Sequence, residues 1–455
     1  MPEELIEKVA EAPAVAVEKA IDTSREIQKT FVNQTQVKKV RAYWKLLGPG
    51  LTTGAADDDP SGIATYSQTG ARFGFQYLWL AAFTFPFMAI IQEMCARIGL
   101  VTGRGLAANI RLNYPRWVIY LCALLLFIAN TINLGADLGA MAKATQLVLP
   151  DLNFLVLVLF FTIFSLILQI FTSYETYAKY LKWLALILAS YIFTAFASDI
   201  DWFKVAKGVL IPTFSFGKDH IILITAVLGT TISPYLFFWQ TSQEVEEEIL
   251  EGKTTLEQRE RADPQEIKHM RTDVWSGMFI SNLIMFFIIA TTAATLHANG
   301  ITNIQTAADA AAALKPLAGD KAAYLFSAGI IGTGLLAVPV LAGSASYALA
   351  ESLKWRSGLY RSLKGASAFY GVIIISMLIG LVLNFFNVNP IKALLYSAVL
   401  NGLIAPIILV LIVRISSSEK IMGPNKNHPW VSLFGWLITL VMILAALGAL
   451  LSLIL

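Results

Sequence analysis

Three consecutive carboxylates, Asp57, Asp58 and Asp59, stand directly before Pro60 in the stretch AADDDPSG, within a segment otherwise built of apolar and small residues. Carboxylate oxygens are hard donors that suit Mg²⁺, Ca²⁺ and Mn²⁺. Pro60 lacks a backbone donor and clashes with the preceding turn, so a helix unwinds beside them. Unwinding frees carbonyls, which an apolar surrounding tolerates only where they line a cavity or meet an ion. A second stretch repeats the device: in GTTISPYLFFWQTS, Pro234 follows Gly229, Thr230, Thr231 and Ser233. Thr230 and Ser233 are three apart and share a helix face. Together with Asp59, which abuts the first break, they form an all-oxygen set for a hard divalent cation. Asp58 adds field or holds water, and Asp57 lines the approach. The structural alternatives are acids that merely cap a wet helix end, and hydroxyls that make ordinary helix–helix hydrogen bonds. No sulfur or imidazole flanks either break. His220, His269, His297 and His428 fall at span ends or in loops, and Cys95 and Cys122 lie inside predicted helices without metal-ligand spacing.

The elements that position these residues are transmembrane helices. The chain of 455 residues is 56% hydrophobic and 14% charged, with a mean hydropathy of +0.64; soluble domains carry about 25% charged residues. Runs such as FLVLVLFFTIFSLILQIF reach the roughly 20 residues that cross a bilayer as a helix. The pattern predicts an all-α polytopic membrane protein of about eleven spans. The stretch MPEELIEKVAEA has acids and no apolar core, so no cleaved signal peptide is expected. Residues 1–43 read as a cytosolic tail, 44–198 as helices 1–5, 199–414 as helices 6–10 and 415–455 as helix 11. The charged stretch 243–273 reads as a cytosolic loop containing a solvated amphipathic helix. With the N-terminus inside, all but eight of the 34 Lys and Arg fall on the cytosolic side, Lys204 and Lys207 being among the eight. That asymmetry predicts a cytoplasmic N-terminus and an external C-terminus, in a membrane read as the bacterial inner membrane. The two interrupted spans, the first and the sixth, are five apart, so the second copy of the repeat is inverted. Paired Gly/Pro interruptions in two halves point to a secondary transporter's binding site.

These residues resemble a known family. GPGLTTGAADDDPSG is similar to the first helix of the Nramp divalent-metal transporters, whose motif there is Asp-Pro-Gly-Asn. GTTISPYLFFWQTS is similar to their sixth, which reads Ala-Thr-Val-Met-Pro-His. ARIGLVTGRGLA and HANGITNIQTAADAAAALKPLAG extend the similarity over most of residues 45–415. The resemblance implies a LeuT-like fold with two inverted repeats of five helices, broken at helices 1 and 6. It also implies a metal held by the Asp and Asn of the first motif and by the Met and a carbonyl of the second. Here Asp59 keeps the Asp position, Gly62 stands for Asn, Ser233 for Met and Thr230 for the carbonyl donor, and Ala56 and Asp58 complete the expected set. Loss of the thioether and of bulk predicts a wider, harder site for a largely hydrated ion, and Mg²⁺ dehydrates reluctantly.

The family's proton-linked His corresponds to Tyr235. The third span, NTINLGADLG, places Asn133 and Ala136 where family acids stand, with Asp137 one place away unless a gap restores it. The pattern is similar to the Nramp-related magnesium transporter branch, which implies Mg²⁺ and Mn²⁺ carriage without proton coupling. The alternatives are a proton-coupled Nramp-type carrier of Mn²⁺ or Fe²⁺, or a LeuT-fold transporter of another substrate.

Other intramembrane polar residues read structurally. Glu93 and Arg97 are an i,i+4 pair, or a gate; Asn130, Asn133 and Asp137 share one face of the third span; and Asn401 lies near Pro406. An anionic substrate is disfavoured by the three acids. A prenyltransferase needs two Asp-rich motifs and an intramembrane aspartyl protease a Tyr-Asp partner, so no enzyme activity is expected. A receptor or scaffold finds support only in the charged loop. The expected partners are divalent metal ions, as transported substrates, and the lipid bilayer, with no cofactor, nucleic acid or obligate protein partner.

Overall fold

A computed structural model describes residues 48–172, 186–198, 200–215, 217–386 and 388–454. The expected tail, 1–43, and the first part of the fifth span lie outside the described residues, of which all but Gly48 belong to one compact unit, Pro49–Leu455. Every regular element among the described residues is helical.

The first span is split, as Pro60 dictates, into α1 (Pro49–Asp57) and α2 (Pro60–Phe73). Next come α3 (Trp79–Thr102), closed by Gly103 at φ 59, α4 (Leu106–Asn113), α5 (Arg116–Val148) and α6 (Phe154–Phe171). Asn153 caps α6 through the amides of Leu155 and Val156. The described part of the fifth span ends in α7 (Ala189–Ala197), and α8 (Trp202–Leu210) leads to the sixth. That span is split into α9 (Lys218–Thr231) and α10 (Pro234–Leu250). The second half continues with α11 (Pro264–Thr295), α12 (Ala307–Ala311), α13 (Ala322–Ser352), α14 (Ser367–Leu383), α15 (Pro390–Ser416) and α16 (Pro429–Ile454). Among the described residues, nine stretches are long and apolar enough to cross a membrane. The interrupted first span and the partly described fifth account for the other two of the expected set.

Glycines let the broken helices pack at backbone distance. A Cβ on Gly50 would stand 2.6 Å from the Val274 Cα, and one on Gly277 2.6 Å from the Gly50 carbonyl carbon, so α1 and α11 meet without side chains between them. A Cβ on Gly229 would stand 2.7 Å from the Gly402 Cα, which seats α9 on α15 in the same way. Asp273, at the start of the membrane part of α11, accepts the α1 amides of Gly50 (2.6 Å) and Leu51 (3.1 Å). A distant carboxylate thus does for α1 what a local N-cap does for most helices.

The charged stretch after the sixth span departs from expectation. It is not a solvated loop from residue 243: α10 runs to Leu250 and α11 begins at Pro264, with a capping box between Asp263 and Glu266. Glu244, Glu246 and Glu248 are buried. The cause is local demand for acceptors. Glu246 takes the Leu359 amide (2.5 Å), the Tyr360 amide (3.2 Å) and the Tyr347 hydroxyl, closing the connection between α13 and α14. Glu248 pairs with Lys253 at 3.1 Å. Partial burial works against the Lys253 charge, but the bonds to Glu266 and Glu248 prevail and its ammonium titrates above the ordinary lysine value. Glu93 likewise does more than pair within its own helix. Arg97 is 3.9 Å away, whereas the Arg271 and Trp275 side chains of α11 donate to Glu93 at 2.9 and 2.7 Å.

Candidate metal site

Asp59 occupies the N-cap of α2 in extended backbone (φ −66, ψ 172). One carboxylate oxygen accepts the Gly62 amide at 2.7 Å and the Ser61 hydroxyl at 2.6 Å. The partial positive end of α2 favours that charge. The other oxygen accepts from the Asn133 amide of α5 at 3.1 Å, and the Asn133 carbonyl oxygen accepts the Ser397 hydroxyl of α15 at 2.7 Å. Asp59 therefore caps its helix and is also held by Asn133 of α5, which Ser397 of α15 positions. Asp57 turns to α11, where the Ser281 hydroxyl donates to it at 2.8 Å. The remaining Asp57 oxygen and both Asp58 oxygens have no hydrogen-bond partner, and all three acids are wholly buried. Buried carboxylates without partners are costly, which is the condition a bound cation relieves.

The second break faces the first. α9 ends at Thr231, and Ser233 (φ −80, ψ 131) starts α10. The Ser233 hydroxyl donates to the Gly229 and Thr230 carbonyls, each at 2.7 Å, and so occupies acceptors that unwinding frees. The Tyr235 hydroxyl donates to the Ala56 carbonyl at 3.1 Å, bonding one break to the other. At Gly62 an added Cβ would stand 3.0 Å from the Asp57 carbonyl, 3.3 Å from the Tyr66 ring and 3.4 Å from the Thr230 hydroxyl. In this conformation the room expected from Gly62 is taken up by close approach of those groups.

Asp59, Gly62, Thr230 and, through Tyr235, Ala56 are thus brought together. Asp58 lies beside them unpartnered, and Ser233 is turned to its own backbone. Among the described residues no three His, Cys, Asp or Glu side chains converge as a metal cluster, so hydroxyls and carbonyls must supply part of any coordination sphere. Ser61, Tyr66, Ser281 and Ser397 escaped the sequence reading. Ser61 sits within the quoted motif and Tyr66 one turn beyond it, whereas nothing in the spacing marks Ser281 or Ser397. Asp137, one turn beyond Asn133 on α5, is wholly buried with both oxygens unpartnered.

The first span is tied down on either side of its break. On one side Gln68 of α2 accepts the Ile304 amide at 2.9 Å and donates to Asn303 at 3.3 Å, tying down the segment before α12. Beneath it Pro60, Ile63, Ile304, Phe326, Ile330 and Leu394 line an apolar space. On the other side, Asp273 holds the start of α1.

Two interrupted helices facing each other within a two-repeat helical bundle define the LeuT-like class of membrane transporter folds. The structure superposes on that of a manganese transporter from Eremococcus coleocola with a TM-score of 0.70 at 18% identity, over 91% of this chain and 87% of the other. It superposes on inward-facing Mhp1 with a TM-score of 0.51 at 16% identity, over 89% of each chain. Within that class the chain belongs to the Nramp family: the profile described as natural resistance-associated macrophage protein-like matches residues 50–452. The divalent metal cation transporter MntH of Klebsiella pneumoniae is 29% identical over 404 residues, 88% of this chain and 92% of its own. MntH of Pectobacterium carotovorum is 26% identical over 427 residues, 92% of this chain and 96% of its own.

Proposed function

We propose that this chain carries divalent metal cations across the membrane, Mn²⁺ among them, through the paired breaks. The observation that carries the reading is the buried Asp57–Asp59 run. One acid of the run is fixed between α2 and α5 and another is left without any partner, opposite the Thr230 break. The names of the matched relatives supply the substrate class and weigh toward an Nramp-type Mn²⁺ carrier. Asp137, buried and unpartnered on α5, supports the proton-coupled form of that reading, because it offers the acid that Asn133 and Ala136 do not.

A second reading, preference for Mg²⁺ without proton coupling, rests on the donor set. Gly62, Ser233 and Tyr235 stand where the resemblance implies Asn, Met and His, and an oxygen-only set favours hard ions. The wide cavity of that reading belongs to another conformation, since Gly62 is closely approached in this one. We further assign the bilayer to the bacterial inner membrane, with a cytoplasmic N-terminus, an external C-terminus and repeats over 44–198 and 199–414.

Proteoliposome flux with an internal pH dye decides between the readings. Mn²⁺ uptake with matching acidification, weakly inhibited by Mg²⁺, establishes the coupled Mn²⁺ carrier. Uptake that Mg²⁺ suppresses, without acidification, establishes the second reading. Absence of divalent uptake by folded protein overturns both.

A further inference from the structure

The connection between α7 and α9 carries a surface suited to neither water nor the bundle. Asp201 caps α8 by accepting the Phe203 and Lys204 amides at 3.1 and 3.2 Å. At 3.6 residues per turn, Val205 and Gly208 fall on one side of this short helix. That side is the seated one: Val205 is 4% exposed, and Gly208 lies against the Phe75 backbone. On the far side Phe203 is 81% and Leu210 77% exposed. Lys204 and Lys207 occupy the neighbouring arc, both exposed. Beyond the helix Ile211 and Phe214 remain 53% and 65% exposed.

Exposed aromatic and aliphatic residues beside lysines on one short helix are the pattern of a helix lying in a membrane interface. Continuity supports the bilayer over a second protein. Trp202 of α8 packs against Phe196 of α7, ring centroids 5.3 Å apart. Phe193 and Phe196 are themselves 63% and 68% exposed on the last turns of the fifth span. The apolar arc of α8 therefore prolongs an outward face of that span and turns it by way of the Phe196–Trp202 contact. Charge supports anionic lipid. Lys204 is engaged by Asp201 at 3.3 Å, while Lys207 and Lys218 are exposed along the same connection.

We propose that α8 is an interfacial anchor. It lies in the plane of the membrane surface, with Phe203 and Leu210 at the headgroup–acyl boundary and Lys204 and Lys207 against anionic phospholipid headgroups. The anchor is fastened to the outer end of the broken first span. Gly208 rests on Phe75, the Thr213 hydroxyl donates to the Gln76 carbonyl at 3.2 Å, and the Tyr77 hydroxyl bonds the His220 ring at 2.6 Å. The turn that follows α2 is thereby tied to the membrane surface. This seating is independent of which ion is carried.

Site-directed spin labels test it in the full chain, with Phe203→Cys, Lys204→Cys, Lys207→Cys and Leu210→Cys made singly; native Cys95 and Cys122 are buried. In vesicles of phosphatidylcholine and phosphatidylglycerol, labels at 203 and 210 should collide more with oxygen than with an aqueous nickel chelate, and labels at 204 and 207 the reverse. Nickel-dominated collisions at 203 and 210, or protection there from both probes, overturn the anchor. The first result means water, and the second a covering protein. A lysine near an anionic surface contributes about 1 kcal/mol, or about fivefold in partitioning. The label at 203 should therefore sit deeper in these vesicles than in phosphatidylcholine alone, and Lys204→Gln with Lys207→Gln should erase the difference. Equal depth in both vesicle types overturns the headgroup assignment.

Discussion

The Tyr235 hydroxyl donates to the Ala56 carbonyl, so the two helix breaks are bonded directly to each other. The carbonyl has been freed by one break, and the tyrosine stands one residue past the proline of the other. Removing the hydroxyl by Tyr235→Phe leaves the ring in place and a buried acceptor unmet, at a cost of about 1–3 kcal/mol. A lowered thermal midpoint with intact fold is the expected result, together with altered divalent flux. Unchanged stability and flux would show that the bond between the breaks is dispensable.

Asp59→Ala removes a carboxylate that α2 and α5 hold. Flux of Mn²⁺ and Mg²⁺ in proteoliposomes should fall to background. Losing the N-cap also costs about 0.5–2 kcal/mol, so folding is checked by monodispersity in detergent. Near-normal flux through folded protein would remove Asp59 from the site.

Ser233→Met places a thioether at the second break and gives up the bonds to the Gly229 and Thr230 carbonyls. Cd²⁺ or another soft ion should then compete better against Mn²⁺ than in the unaltered protein. Gly62→Asn is the companion change. Because the Asp57 carbonyl would stand 3.0 Å from a new Cβ, it should act only after the breaks separate, and it should slow flux as well as alter selectivity. Unchanged selectivity in the double variant would refute the argument from donor type and space.

Asp273→Ala deletes the acceptor for the Gly50 and Leu51 amides. A lost cap costs about 1 kcal/mol. Hydrogen exchange in α1 should accelerate about fivefold, while α15 and α16 keep their protection. Equal exchange in α1 would mean that the glycine contacts and the bonds from Ser281 and Tyr235 suffice to hold it.

Much of this architecture was readable in advance because its causes are local. Pro60 and Pro234, each set among small and polar residues, break their helices, whereas Pro86, Pro339 and Pro406 are carried inside continuous ones, and apolar runs of sufficient length declare their spans. The site was readable only where its members are neighbours in sequence. Asp59 and Thr230 announce themselves by standing at the breaks. Ser281 and Ser397 do not, because they reach Asp57 and Asn133 from helices whose sequences look like any apolar span carrying a serine. Charge in the stretch after the sixth span misled for a related reason. Glu246 looks solvated until the Leu359 and Tyr360 amides, more than a hundred residues away, are seen to need an acceptor. The role of Gly62 also changed in three dimensions, since a missing side chain gives room only when nothing else moves in.

The seam between α1 and α11 has a mechanical meaning. Interlocked side chains must be withdrawn together before two helices part, which makes such a joint stiff until it fails. Gly50, Gly54 and Gly277 offer smooth backbone instead, and Asp273 is fastened at one end. The first half of the interrupted span is thus a door leaf on a plain jamb, bolted by Asp273 at one end and latched through Ser281 and Tyr235 at the other.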